Sequence, residues 1–171
     1  PEIIEAGFKA GKLQFYTFFG ASPAAVIQSF TSLVGRMPMP PRWAMGNFMS
    51  RYGYRNQEDV LDIARMMKQD QFPLDAVIID LFWFGNGEHG SWNMGNLSWN
   101  KERFPQPEKM IQDLKKENIK TILIAEPFVL TESSNYLYTQ QNKLNAVNKT
   151  GDTVSIKEFY FGYAGLLDIF K

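Results

Sequence analysis

Two acidic side chains stand where apolar runs end. Asp80 closes Phe72-Pro-Leu-Asp-Ala-Val-Ile-Ile-Asp80, and Glu126 closes Lys120-Thr-Ile-Leu-Ile-Ala-Glu126. Two carboxylates converging on one mouth can share acid and base work of the kind that cleaves glycosidic bonds. Each also has a plainer use. Asp80 can cap the turn that follows it, and Glu126, ahead of Pro127, can serve as an outer hydrogen-bond acceptor. Tyr52, Trp83, Trp92, Trp99, Tyr160 and Phe161 fall around the same stretches. Aromatic faces pack against the C–H faces of sugar rings while carboxylates accept hydrogen bonds from hydroxyls, and core packing is the competing use of these rings.

The elements that must carry these groups follow from periodicity. The run Ala76 to Ile79 shows no period-2 alternation, as expected of a parallel strand covered on both faces, and Pro73 bars a helix from entering it. Asp80 then falls at the carboxyl end of that strand, where ligands bind in barrels and open α/β sheets. Trp43 to Ser50 reads as an earlier buried strand running into the loop Arg51-Tyr-Gly-Tyr54, and Lys120 to Ala125 as a later one. Between them, Asn56 can cap a helix carrying Val60, Ile63, Ala64 and Met67 on one face and ending near Gln71. Pro107 opens a second helix, with Met110, Ile111 and Leu114, and Asn118 is a left-handed stop. The order β-α-β-α-β implies parallel strands joined by crossovers. The roughly twenty residues from Leu81 to Phe104 form a loop long enough to suggest binding.

Upstream, Gly11 to Gly20 is aromatic-rich and reads as a strand, and Ser22-Pro23 caps a helix whose stripe of Val26, Ile27, Phe30, Leu33 and Val34 stops at Gly35. Pro38, Pro40 and Pro41 make a stiff connector and a boundary. Downstream of Glu126 the sequence suggests a polar helical piece around Tyr136 to Ala146, a turn at Gly151-Asp152, and the aromatic run Phe159 to Asp168.

Composition narrows the chemistry. Eighteen basic residues balance eighteen acidic ones among 171, so no net field draws nucleic acid or an anionic membrane, and neither is expected as a partner. With no cysteine and the single histidine His89, thiol catalysis and multi-histidine metal centres are excluded, and no metal site is expected. There is no Gly-x-Gly-x-x-Gly and no P-loop lysine, so no nucleotide cradle is present and no cofactor is expected. No segment has the length and apolarity of a membrane span, and the first residues lack signal-peptide character, which leaves the compartment unknown. Asn96-Leu-Ser98 and Asn148-Lys-Thr150 match the glycosylation sequon at the level expected by chance.

Five blocks in order, Met39-Pro-Pro-Arg-Trp-Ala-Met-Gly46, Ser50-Arg-Tyr-Gly-Tyr54, Phe72 to Asp80, Phe104-Pro-Gln-Pro-Glu-Lys-Met110 and Lys120 to Pro127, resemble glycoside hydrolase family 31. That family holds retaining α-glucosidases and α-xylosidases. The resemblance implies a partial (β/α)8 TIM barrel, its first three β/α units, over residues 37–171, preceded at 1–36 by the end of a β-sandwich and a linking helix. It also implies that Asp80 holds hydroxyls of the terminal sugar, that Leu81 lines the pocket beside it, that Tyr52 lies under the sugar and that Ile124 forms another wall. Glu126 stands where many members have Asp, and Phe161 or Tyr160 stands where a stacking Trp is more usual.

The family's nucleophile and acid/base are both Asp on later strands, and neither is found in these residues, so no catalytic residue is assigned and the chain alone is expected to be inactive. The implied parent is an α-glucosidase-like retaining hydrolase acting on the non-reducing terminal α-glucose of an oligosaccharide. Alternatives are an α-xylosidase, a 4-α-glucosyltransferase, which Glu126-Pro-Phe-Val-Leu-Thr131 and Asn93-Met-Gly-Asn-Leu97 resemble, or a non-catalytic carbohydrate-binding protein. Three parallel strands outside a closed barrel would leave unpaired edges through which the chain self-associates.

Overall fold

The computed structural model describes residues 7, 11–86, 93–159 and 162–169, with backbone alone for 157–159. The chain forms two compact units, Pro1–Pro40 and Pro41–Lys171. In the first, helix α1 spans Pro23–Val34. Ser22 caps it by accepting the Ala25 N–H at 3.3 Å, and Gly35 closes it by donating to the Thr31 carbonyl. Gly11 to Gly20 is not the expected strand but irregular chain. A strand requires a hydrogen-bonded neighbour, and among the described residues no segment pairs with it.

The second unit is built on a parallel sheet. Strands β1 (Phe48–Arg51), β2 (Ala76–Ile79) and β3 (Lys120–Leu123) lie in that order, with Ala76 beside Phe48 and Lys120, and Ile79 beside Arg51 and Leu123. Helices α2 (Gln57–Gln69) and α3 (Pro107–Lys116) make the connections. Asn56 caps α2 through the Asp59 N–H at 2.9 Å, and Asn118 adopts φ 63° after α3. Val60 of α2 and Met110 and Leu114 of α3 share one buried cluster with Val77 and Ile79. The apolar stripe at helical spacing and the uninterrupted apolar strand thus meet as a helix layer on a sheet.

Boundaries differ from expectation in ways that have local causes. Trp43 lies in a 3-10 turn, Arg42–Met45, not in the first strand. The chain straightens only after Asn47, which is pinned by its N–H to Asp75 Oδ2 at 3.0 Å and by its side-chain amide to the Pro73 carbonyl at 2.8 Å. Helix α2 stops at Gln69 because Gln71 turns left-handed with φ 58°. Strand β3 stops at Leu123, though the Ile124 N–H still bonds the Ile79 carbonyl at 3.1 Å.

The polar piece beginning at Tyr136 is a helix, α4 (Tyr136–Gln141), shorter than the expected run to Ala146. It sits beside an antiparallel sheet that sequence reading did not foresee, with β4 (Phe128–Leu130), β5 (Ser155–Phe159) and β6 (Gly162–Leu166) in the order β4-β6-β5. Val129 pairs with Gly165 and Leu130 with Ala164.

Tyr54 shows where packing outweighed polarity. Its ring is 2% exposed, its hydroxyl has no hydrogen-bond partner among the described residues, and burial pushes its pKa up against the opposing charge of Arg51. An unsatisfied buried hydroxyl costs about 1–3 kcal/mol, so Tyr54→Phe is expected to leave stability unchanged or raise it. Urea denaturation of both forms checks this, and a loss beyond about 1 kcal/mol would show the hydroxyl to be bonded.

Candidate functional site

The parallel register brings three of the singled-out residues to one level. Arg51, Ile79 and Leu123 pair across β1, β2 and β3, so the next residues, Tyr52, Asp80 and Ile124, emerge together at the carboxyl edge. Residues of equal phase on neighbouring strands share a face of the sheet. An aromatic, a carboxylate and an aliphatic side chain are thereby set along one rim.

Asp80 is half-buried and does act as a cap. Its Oδ1 accepts the Leu81 N–H at 2.7 Å and opens a 3-10 turn, Leu81–Trp83. Hydrogen bonds among the described residues engage Oδ1 alone, so capping occupies one carboxylate oxygen and Oδ2 retains its accepting capacity. The turn drives the next residues inward. Leu81 is 8% exposed and Phe82 1%, and both belong to the core cluster, so Leu81 adjoins Asp80 along the chain but is largely buried.

Trp83, expected near the mouth, is instead 6% exposed. Its indole N–H donates to the Ile124 carbonyl at 2.8 Å, which ties the end of β3 to the loop after β2. Trp83 meets Trp99 at 5.4 Å between ring centroids, and Trp99 meets Phe104 at 5.4 Å, so these rings form a packed row rather than a lining. A buried indole needs a partner for its N–H, and the carbonyl at a strand end supplies one. Tyr52, by contrast, is 55% exposed. Ile124 and Glu126 are half-buried, Glu126 lying between β3 and β4. Phe161, Tyr160 and Trp92 lie outside the described residues.

Sequence reading missed what holds the far side of the long loop. Asn96 Oδ1 accepts from Ser133 Oγ at 2.7 Å and the Ser134 N–H at 3.0 Å, and Asn135 Nδ2 donates to the carbonyls of Gly95 and Asn96 at 2.7 and 2.9 Å. Leu130 N–H donates to the Met94 carbonyl at 3.1 Å, so residues 94–96 are strapped along β4 and the turn that follows. The clustered Asn and Ser residues were the available signal, since such side chains favour bonds to nearby backbone, but the pairing spans too much chain to be read locally. A groove of about 370 Å³ between α2 and α3, floored by Leu61, Ala64, Leu114 and Ile119, includes none of the strand-end residues. Among the described residues no group of three His, Cys, Asp or Glu is placed to hold a metal ion.

Residues 37–171 match the model of the glycosyl hydrolases family 31 TIM-barrel domain. The chain belongs to glycosyl hydrolase family 31. Alpha-glucosidase 2 of Bacillus thermoamyloliquefaciens is 32% identical over 132 residues, covering 77% of this chain and 16% of that protein. An alpha-xylosidase of Saccharolobus solfataricus is 28% identical over 125 residues, covering 72% of the chain and 16% of that protein. In fold, a Flavobacterium johnsoniae family 31 dextranase complexed with glucose superposes at a TM-score of 0.77 with 22% identity, over 90% of this chain and 18% of that one. The chain therefore spans under a fifth of the length of each of these three proteins.

Proposed function

We propose that residues 37–171 are the first three β/α units of a (β/α)8 barrel, following the end of a β-sandwich and a linking helix at 1–36, and that they build part of the sugar-binding wall of an α-glucosidase-like retaining hydrolase. The observation that carries this reading is the common level of Tyr52, Asp80 and Ile124 at the carboxyl edge of the parallel sheet, within residues that match the family's barrel. Active sites of such barrels are assembled at that edge.

On this reading Asp80 accepts hydrogen bonds from hydroxyls of the terminal sugar, Tyr52 offers its exposed face beneath the ring, and Ile124 and Leu81 shape the wall. Glu126, in the connection from β3 to β4, is a further candidate contact to the sugar, and Phe161 is a candidate stacking partner. The nucleophile and the acid/base, which would pass the sugar through a covalent glycosyl-enzyme, come from strands other than these. The bound partner is a neutral oligosaccharide, which suits a chain of zero formal charge. Isolated from the remaining strands, the polypeptide would expose the outer edges of β1 and β3.

An α-xylosidase is the second reading, supported by relatives that bear that name at 28–29% identity. The two differ in whether the pocket admits the C6 hydroxymethyl group, and Tyr52 and Leu81 are the residues that decide it. The full-length protein is expected to show a higher kcat/KM on maltose than on an α-xyloside, measured under the same conditions. A xyloside preference would transfer the assignment to the second reading.

A further inference from the structure

The exposed Tyr52 ring does not stand alone. It leans on Phe82 with centroids 5.5 Å apart and planes tilted by 41°. Phe82 is 1% exposed, and the guanidinium of Arg103 sits over its ring with Cζ 5.1 Å from the centroid, within the range of a cation–π contact. The three side chains come from the β1 end, the turn after β2 and the far end of the long loop, so the row joins segments remote in sequence.

Arg103 is itself fixed from several directions. Its Nη1 donates to the Arg55 carbonyl at 3.2 Å, its own carbonyl accepts the Gln57 N–H at 2.9 Å, and its N–H donates to Asn100 Oδ1 at 3.2 Å. Asn100 in turn donates to the Gly85 carbonyl at 2.8 Å. A half-buried guanidinium so held is a stiff support for Phe82, and Phe82 for the tyrosine that leans on it.

We propose that Arg103 is a positioning residue for the sugar-binding wall, acting through Phe82 to fix the Tyr52 ring. This rests on the reading of Tyr52 as a wall of the sugar site. A loosened platform weakens binding of ground and transition states alike, so its signature is a raised KM with kcat retained. Arg103→Gln removes the cation and leaves a shorter, neutral amide, whereas Arg103→Lys keeps a cation able to sit over the ring.

The experiment is steady-state kinetics of the full-length protein on maltose, with melting temperatures taken in parallel, for Arg103→Gln, Arg103→Lys, Tyr52→Ala and the Tyr52→Ala/Arg103→Gln pair. Arg103→Gln is expected to raise KM about threefold to tenfold with little change in kcat. Arg103→Lys should recover most of that loss, and Arg103→Gln should add nothing once Tyr52 is Ala. An Arg103→Gln effect of equal size in both backgrounds, or one that Lys does not relieve, would overturn the relay. If Tyr52→Ala raises KM and Arg103→Gln does not, the relay alone falls. If Tyr52→Ala leaves KM unchanged, the wall reading falls and the relay with it. Should Arg103→Gln not fold, Phe82→Leu removes the same link and is expected to raise KM in the same way, and an unchanged KM would count against the relay.

Discussion

Asp80→Asn in the full-length protein is expected to lower kcat/KM on maltose by about one to two decades while leaving the melting temperature close to that of the wild type. On the proposed reading the carboxylate has two duties, capping the turn and holding the sugar, and the substitution separates them. Oδ1 caps the turn by accepting the Leu81 N–H at 2.7 Å, a bond that the carbonyl oxygen of Asn can still accept. The charge is lost, and with it the stronger form of any hydrogen bond donated by a sugar hydroxyl. A hydrogen bond to a charged group is worth about 1.5–3 kcal/mol, and each 1.36 kcal/mol expressed in the transition state is about tenfold in rate. The checking measurement is kcat/KM alongside thermal denaturation for wild type, Asp80→Asn and Asp80→Ala. Unchanged kinetics in Asp80→Asn together with destabilised Asp80→Ala would reduce Asp80 to a cap.

Gly95→Ala is expected to destabilise the protein by about 2–6 kcal/mol. Gly95 has φ 95°, a left-handed conformation that side chains rarely adopt, and a Cβ there would lie 2.7 Å from Val129 Cγ1 and 2.9 Å from Val129 Cα. The Cα cannot step aside cheaply, because Val129 is paired with Gly165 inside the antiparallel sheet. Conformational strain contributes about 1–3 kcal/mol and overpacking a similar amount. Gly151 is the matched control, since it has φ 88° but no atom within 4 Å of its Cβ position, so Gly151→Ala carries the backbone cost without the clash. Chemical denaturation of the two variants yields the steric part by difference, and equal losses would show that the 94–96 strap yields to the added methyl. The strap fixes one side of the loop after β2, so a displaced Gly95 should also disturb the proposed sugar wall.

What the sequence determined by itself was whatever a few neighbouring residues decide through local chemistry. Ser22 and Asn56 supply side-chain oxygens to helix N–H groups, Pro107 has the backbone angle of a first helical turn, and Asn118 tolerates positive φ, so three helices were legible with their starts. The apolar run Ala76 to Ile79, with Pro73 ahead of it, read as a buried strand, which placed Asp80 at its end, and β/α alternation made the neighbouring strands parallel. Asp80 and Glu126 could therefore be placed at the ends of neighbouring strands from sequence. Ile124 entered as a wall only through the family resemblance, and its level with Tyr52 and Asp80 follows from the strand register.

Only the tertiary structure decided which rings turn inward and which strands pair at a distance. Trp83 is one residue from Phe82 and two from Leu81, all equally apolar to a local reading, yet its N–H reaches the Ile124 carbonyl because the turn capped by Asp80 aims it at the end of β3. Strands β4 and β6 are short, and they gain their hydrogen bonds only when Val129 meets Gly165 across the intervening α4 and β5. Gly11 to Gly20 has strand composition but no neighbour to complete its ladder among the described residues. A helix satisfies its backbone within its own residues, whereas a strand borrows its partner from elsewhere in the chain, and sequence spacing does not carry that information.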